Sequence, residues 1–119
     1  MRVERELMRG AGPVAVLKLL QRREMYGYEL VDALASSTDG VLAMGQSTLY
    51  PMLYNLQAKG LIVSRRRQAA SGRQRKYYAL TRKGTTRLAA ETRQWRALVK
   101  AMAAIGVVPG PRATREAAM

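Results

Sequence analysis

Between Gly40 and Ala90 the sequence carries ten basic side chains and not one acidic side chain: Lys59, Arg65, Arg66, Arg67, Arg73, Arg75, Lys76, Arg82, Lys83 and Arg87. A surface shaped only by solubility mixes the two signs. One short arginine cluster could be a solvated face. A whole half-chain without an acid points to a polyanionic partner, nucleic acid ahead of an anionic membrane surface. Within the same stretch Gln46, Ser47, Thr48, Tyr50, Tyr54, Asn55 and Lys59 offer donors and acceptors suited to phosphate oxygens and base edges.

Other chemistries lack their groups. The 119 residues contain no Cys and no His, which removes thiolate nucleophiles, Cys-ligated zinc and a neutral-pH proton shuttle. Six of the eight acids lie in the first forty residues, and only Glu4–Glu6 and Glu29–Asp32 are close pairs near helix starts. Carboxylates that complement a helix dipole suffice to explain them. An enzyme, a metal and a cofactor are therefore not expected. No apolar run approaches the roughly 20 residues that span a bilayer, and MRVERELMRG has no apolar stretch of a secretory signal. The expectation is a soluble cytoplasmic protein with a net charge of +13 and no membrane partner.

Positioning these groups needs a scaffold, and the periodicity supplies one. Residues 2–9 suit a short helical arm, broken at Gly10, Gly12 and Pro13. Pro13 suits the first position of a new helix, with Val14, Leu17 and Leu20 recurring on one face up to about Arg23. A second helix opens at Tyr26-Gly27-Tyr28 and buries Leu30, Val31 and Leu34. Residues 36–40 read as a loop and Val41-Leu42 as a minimal strand. Ser47 suits the N-cap of a third helix, with Pro51 in its first turn, Leu49, Met52, Leu53 and Leu56 inside, and Gly60 just past its end. Residues 61–67 and 75–80 form a hairpin around a turn at 69–72. Thr81 caps a long last helix whose Leu88, Trp95, Leu98, Met102 and Ile105 make a pairing seam. Val107, Val108 and the Pro-Gly-Pro at 109–111 are expected to end it.

The expected class is mostly α with a small β-hairpin, a winged helix-turn-helix followed by a dimerisation helix. Residues 1–80 form the first part, 81–108 the helix and 109–119 a disordered tail. In such a fold the third helix enters the major groove and the wing reaches the neighbouring backbone.

YGYEL (26–30), TLYPMLYNLQAKGLI (48–62), RQRKYYALTRKG (73–84) and Trp95, in this order, resemble the PadR family of bacterial transcriptional regulators over about residues 7–105. The chain looks like its short branch, with a single C-terminal helix. The resemblance implies a homodimer on a pseudo-palindromic duplex operator, usually as a repressor, with relief by a small molecule or stress signal. It places Thr48, Tyr50 and Pro51 at the start of the reading helix and Tyr28 toward DNA from the second. It assigns Arg73, Arg75 and Lys76 to the basic wing, beside Arg65, Arg66 and Arg67, and Tyr77-Tyr78 to the packed base. Trp95 is either a dimer-core tryptophan or, with Leu7, Val14, Leu98 and Met102, the wall of a pocket for flat, often cationic aromatic compounds. The Gly12-Pro13 pair departs from the family pattern in the N-terminal arm, so the arm's geometry does not carry over, and Asn55 and Gln57 depart from it on the reading helix, so no operator sequence carries over. The competing reading is a non-specific binder of RNA or DNA, for which Tyr77 is the base-stacking candidate.

Overall fold

Burial at helical spacing builds the elements in the order α1 (Arg5–Arg22), β1 (Met25–Tyr26), α2 (Gly27–Ser36), α3 (Gln46–Ala58), β2 (Ile62–Gln68), β3 (Gln74–Leu80) and α4 (Arg82–Ala104). This computed structural model describes residues 1–110. The chain divides into two compact units, Met1–Leu88 and the residues from 89 onward.

In the first unit Val16, Leu17 and Leu20 of α1, Leu30 and Leu34 of α2, and Leu49, Leu53 and Leu56 of α3 converge with Leu61, Ile62, Tyr78 and Leu88 in one core. Three antiparallel strands in the order β1–β3–β2 close its edge. Four helices with a small antiparallel sheet match the expected class. The two-residue β1, which pairs Met25 with Tyr78 and Tyr26 with Tyr77, is an addition to the expected hairpin.

Several boundaries differ from expectation. Residues 5–22 form one helix, not an arm and a second helix. Pro13 withholds the N–H that would bond to Arg9, an internal-proline cost of about 3 kcal/mol. Burial of Met8 and Gly12 before it and Val16 and Leu17 after it offsets that cost. Gly12 allows a close approach, because a Cβ there would lie 2.7 Å from Met52 Cε, the movable end of that side chain. Val41-Leu42 is a turn rather than a strand, and the Val41 carbonyl accepts a bond from the Val3 N–H at 3.1 Å. Gly45, not Ser47, caps α3. Its carbonyl accepts from Thr48 and Leu49, and Pro51 falls in the second turn.

Two ends follow from capping chemistry. After α3 the Gly60 N–H bonds the Gln57 carbonyl and the Leu61 N–H bonds the Leu56 carbonyl, with Gly60 at φ +76°. This is the left-handed helix stop that favours glycine. Thr81 Oγ1 accepts the Gly84 N–H at 2.9 Å and lies 2.7 Å from the Gly60 carbonyl, so α4 starts against the end of α3. Gly84 is obligatory there, since a Cβ would overlap the Leu61 carbonyl oxygen.

In the second unit α4 stops at Ala104, ahead of the expected residue 108. Gly106 at φ +86° and the bonds Gly106 N–H to Ala103 and Val107 N–H to Met102 repeat the same stop before Pro109 is reached. Of the tail expected at 109–119, residues 111–119 lie outside the described residues.

Candidate nucleic-acid interface

α3 presents a sharply divided surface. Leu49, Leu53 and Leu56 are buried, while Gln46, Ser47, Thr48, Tyr50, Pro51, Tyr54, Asn55 and Lys59 are all exposed. No acidic side chain occurs on the helix. Tyr28 on the first turn of α2 is exposed as well. Tyr50 is intermediate between contact and packing residue. It stays 44 % exposed, yet its ring rests on Gly27, where any Cβ would overlap the hydroxyl oxygen. Glycine in YGYEL thus lets α3 sit close to the start of α2. The Glu29 carboxylate secures that start by accepting the Tyr26 N–H at 3.1 Å.

The hairpin has two different faces. Its register pairs Arg66 with Lys76, Arg67 with Arg75 and Arg65 with Tyr77. Alternation sends Ser64, Arg66, Lys76 and Tyr78 to the core side. There Tyr78 is buried, and the Ser64 hydroxyl donates to Gln57 Oε1 of α3 at 3.3 Å. Arg66 and Lys76 lie further out on the same side and are exposed. Burial first, then the electrostatics of Tyr50, push the Tyr78 hydroxyl above its ordinary value of 10.0.

The opposite face carries Arg65, Arg67, Arg75 and Tyr77, and these side chains are engaged within the chain. Arg67 stacks 3.8 Å above the Tyr77 ring, Tyr77 meets Tyr26 edge-on at 5.4 Å, and Arg75 lies 4.9 Å from the Tyr26 ring. Glu24 completes the group. Its Oε2 is 2.8 Å from Arg65 Nη2, and its Oε1 is 3.8 Å from Arg67 Nε, an electrostatic rather than a hydrogen-bonding distance. Like charges directly opposite on adjacent strands destabilise a hairpin. Here the rings and one carboxylate offset Arg67 against Arg75. Against Arg66, Lys76 has only a longer ring contact, its Nζ 5.8 Å from the Tyr78 ring centroid, and no carboxylate among the described residues.

In sequence the six wing cations are alike. The structure separates Arg66 and the exposed turn residue Arg73 from the engaged Arg65, Arg67 and Arg75, with the exposed Lys76 between them, 5.8 Å from the Tyr78 ring. It also removes the base-stacking platform, since Tyr77 is only 7 % exposed beneath Arg67. Glu24 is a further member of the site that no sequence motif marks. Its partners depend on a strand of two residues, too short to show a period.

The helix residues divide as well. Leu88, expected on the pairing seam, is 3 % exposed and belongs to the core of the first unit. Leu98 and Ile105 are exposed, and Trp95 and Met102 half-buried. Of the suggested pocket residues on α1, Leu7 is exposed and Val14 packs on the core. Among the described residues no cluster of acids could hold a metal ion, and no helix is long and apolar enough to cross a membrane.

A family model for the transcriptional regulator PadR-like family matches residues 16–90. The chain belongs to the PadR-like family of transcriptional regulators. This PadR-like chain shares 31 % identity with a Streptococcus transcriptional regulator of known structure, with a TM-score of 0.77 over 86 % of this chain and 98 % of the other. A PadR family regulator from Eggerthella lenta is 34 % identical, with a TM-score of 0.72 over 84 % and 85 % of the two chains. Bacillus subtilis PadR, solved in complex with operator DNA, is 26 % identical, with a TM-score of 0.61 over 67 % of this chain and 45 % of that one. An uncharacterised protein of Lysinibacillus sphaericus is 27 % identical over 93 residues, 78 % of this chain and 85 % of that protein. Within this PadR-like fold the motif residues have separate jobs: Gly27 seats Tyr50, Gly60 stops α3, and Thr81 and Gly84 dock α4.

Proposed function

We propose that this regulator binds a duplex operator as a homodimer and represses transcription there. α3 enters the major groove and the hairpin tip lies on the adjoining backbone. The observation that carries this reading is the Arg66–Lys76 pair: two like charges opposite each other, both exposed and neither paired with a carboxylate among the described residues, with only a 5.8 Å contact from Lys76 to the Tyr78 ring, on the face that continues into α3. That arrangement opposes folding and is relieved by phosphate. A PadR relative bound to operator DNA supports the same partner.

Arg66, Lys76 and Arg73 supply affinity through phosphates. Thr48, Pro51, Tyr54 and Asn55 read base edges, while Tyr28 and Tyr50 border the groove. Trp95, Leu98, Met102 and Ile105 form the pairing seam of α4, setting two reading helices about 34 Å apart. A flat aromatic effector at Trp95 releases the operator by favouring a dimer whose reading helices are misspaced.

Selection of bound genomic fragments tests the reading in one step. It should return a two-fold symmetric motif, bound roughly 10³-fold or more tighter than scrambled duplex at the same salt. Equal affinity for scrambled duplex, or a monomer at working concentration, overturns it. Quenching of Trp95, the sole tryptophan, by planar cationic dyes tests the effector site. Unchanged emission at high micromolar dye removes that part.

A further inference from the structure

The surface of α3 away from the hairpin carries a feature that neither the wing nor the pairing helix explains. Gln57 faces β2, where it accepts from Ser64. Asn55, two residues earlier, is turned about 200° around the helix. With Thr48 and Pro51 it lines a cleft of about 830 Å³ whose far wall is the start of the chain: Arg2, Val3, Arg5, Met8 and Arg9. Met44 and Met52 floor it, and Glu4 is the single acid on its rim.

We propose that this cleft seats a second stretch of duplex backbone, with Arg2, Arg5 and Arg9 as its phosphate ligands. The reading helix is then gripped on both flanks, by the hairpin on one side and the first turns of α1 on the other. This rests on the operator-binding reading above. Three observations support it. Arg2, Arg5 and Arg9 are exposed. Three cations against one acid give the cleft the sign that a phosphate backbone needs. The wall is also anchored, because Val3 bonds the Val41 carbonyl, Met8 is buried, and Gly12 approaches Met52 too closely for any larger residue without movement. Anchored arginines lose less freedom on meeting a phosphate than a loose tail would. Thr48 and Asn55, which read bases, share the cleft, so a strand seated there fixes their register.

The test compares two variants of the full chain on one selected operator duplex: Arg2→Gln/Arg5→Gln/Arg9→Gln and Arg66→Gln/Lys76→Gln. All five residues are exposed, so both variants should melt within a few degrees of the parent. The slope of log K against log salt should flatten by about 0.9 for each phosphate no longer neutralised. If the first variant leaves two phosphates unneutralised, its fall in affinity between roughly 50 and 200 mM salt becomes about tenfold smaller. Hydroxyl-radical protection should disappear at different phosphates in the two variants. A parental slope and footprint in the arginine variant, alongside a flattened slope in the hairpin variant, overturns this inference and leaves the operator reading standing. Parental slopes in both variants, or no duplex affinity in the parent, overturns both. A shift of the arginine variant in sedimentation equilibrium with an unchanged slope means that a second copy covers the cleft, which also overturns the inference.

Discussion

Glu24→Gln tests the division of the hairpin most directly, because it removes one charge at nearly constant shape. The carboxylate lies 2.8 Å from Arg65 Nη2 and 3.8 Å from Arg67 Nε, with side-chain exposures of 29 % for Glu24, 69 % for Arg65 and 50 % for Arg67. Unit charges about 4 Å apart in a water-like surrounding attract by about 1 kcal/mol. Exposed pairs measured by double-mutant cycles return roughly 0.2–1 kcal/mol. The amide keeps an oxygen for Arg65, so the variant should lose under about 1 kcal/mol of stability. Its effect on binding should have the opposite sign. Freeing Arg65 lets it neutralise up to one more phosphate, steepening the salt slope by about 0.9. At moderate salt the affinity should rise about two- to fivefold, equivalent to about 0.4–1 kcal/mol. Because phosphate contacts carry no sequence information, scrambled duplex should gain by the same factor. Fluorescence anisotropy on operator and scrambled duplexes from low to moderate salt measures both quantities. Weaker binding, or a gain confined to the operator, would show that Glu24 orients a reading group instead of restraining two cations.

Three further outcomes follow from the same geometry. Arg66→Ala should flatten the salt slope by about 0.9. Arg75→Ala should leave it almost unchanged and cost roughly 0.5–1 kcal/mol of stability, because the Tyr26 ring is left without its guanidinium; equal slopes in the two variants would show that the hairpin faces are equivalent. Gly84→Ala should destabilise by about 1–3 kcal/mol in chemical denaturation because its methyl meets the Leu61 carbonyl oxygen. Gly12→Ala meets only the mobile end of Met52 and should cost less, so a reversed order refutes the docking account. The raised Tyr78 hydroxyl stays protonated in the fold when the unfolded chain has begun to ionise. Its contribution is complete below pH 10.0 and is lost as pH climbs from there through the folded value. Tyr78→Phe should therefore soften the fall in melting temperature above that pH, and identical slopes in parent and variant would contradict it.

The helices, the hairpin and the glycine stop at residue 60 were legible because each rests on local signals: apolar residues at helical spacing, alternation along strands, a glycine after a polar run. Three things were hidden, two of them long-range. Pro13 and two glycines read as a helix break, but the burial that carries α1 through them comes from Met44 and Met52, more than thirty residues away. Ser47 is a better intrinsic cap than Gly45, yet the loop geometry before α3 gives that position to glycine. Arg65, Arg67 and Arg75 look like Arg66 and Lys76 in sequence. Only strand register and a carboxylate at residue 24 tell them apart.

The ring-and-guanidinium stack behind the hairpin also bears on kinetics. A cationic ribbon held only by its ladder bonds would flex, and its conformational freedom would be surrendered at each encounter. Tyr26 and Tyr77, clasped by Arg67 and Arg75, brace the strands before any partner arrives, so that entropy is lost during folding instead. On the operator-binding reading, the braced prong would meet the double helix as a ready-shaped tool, and the time a complex survives would reflect how well the two surfaces fit.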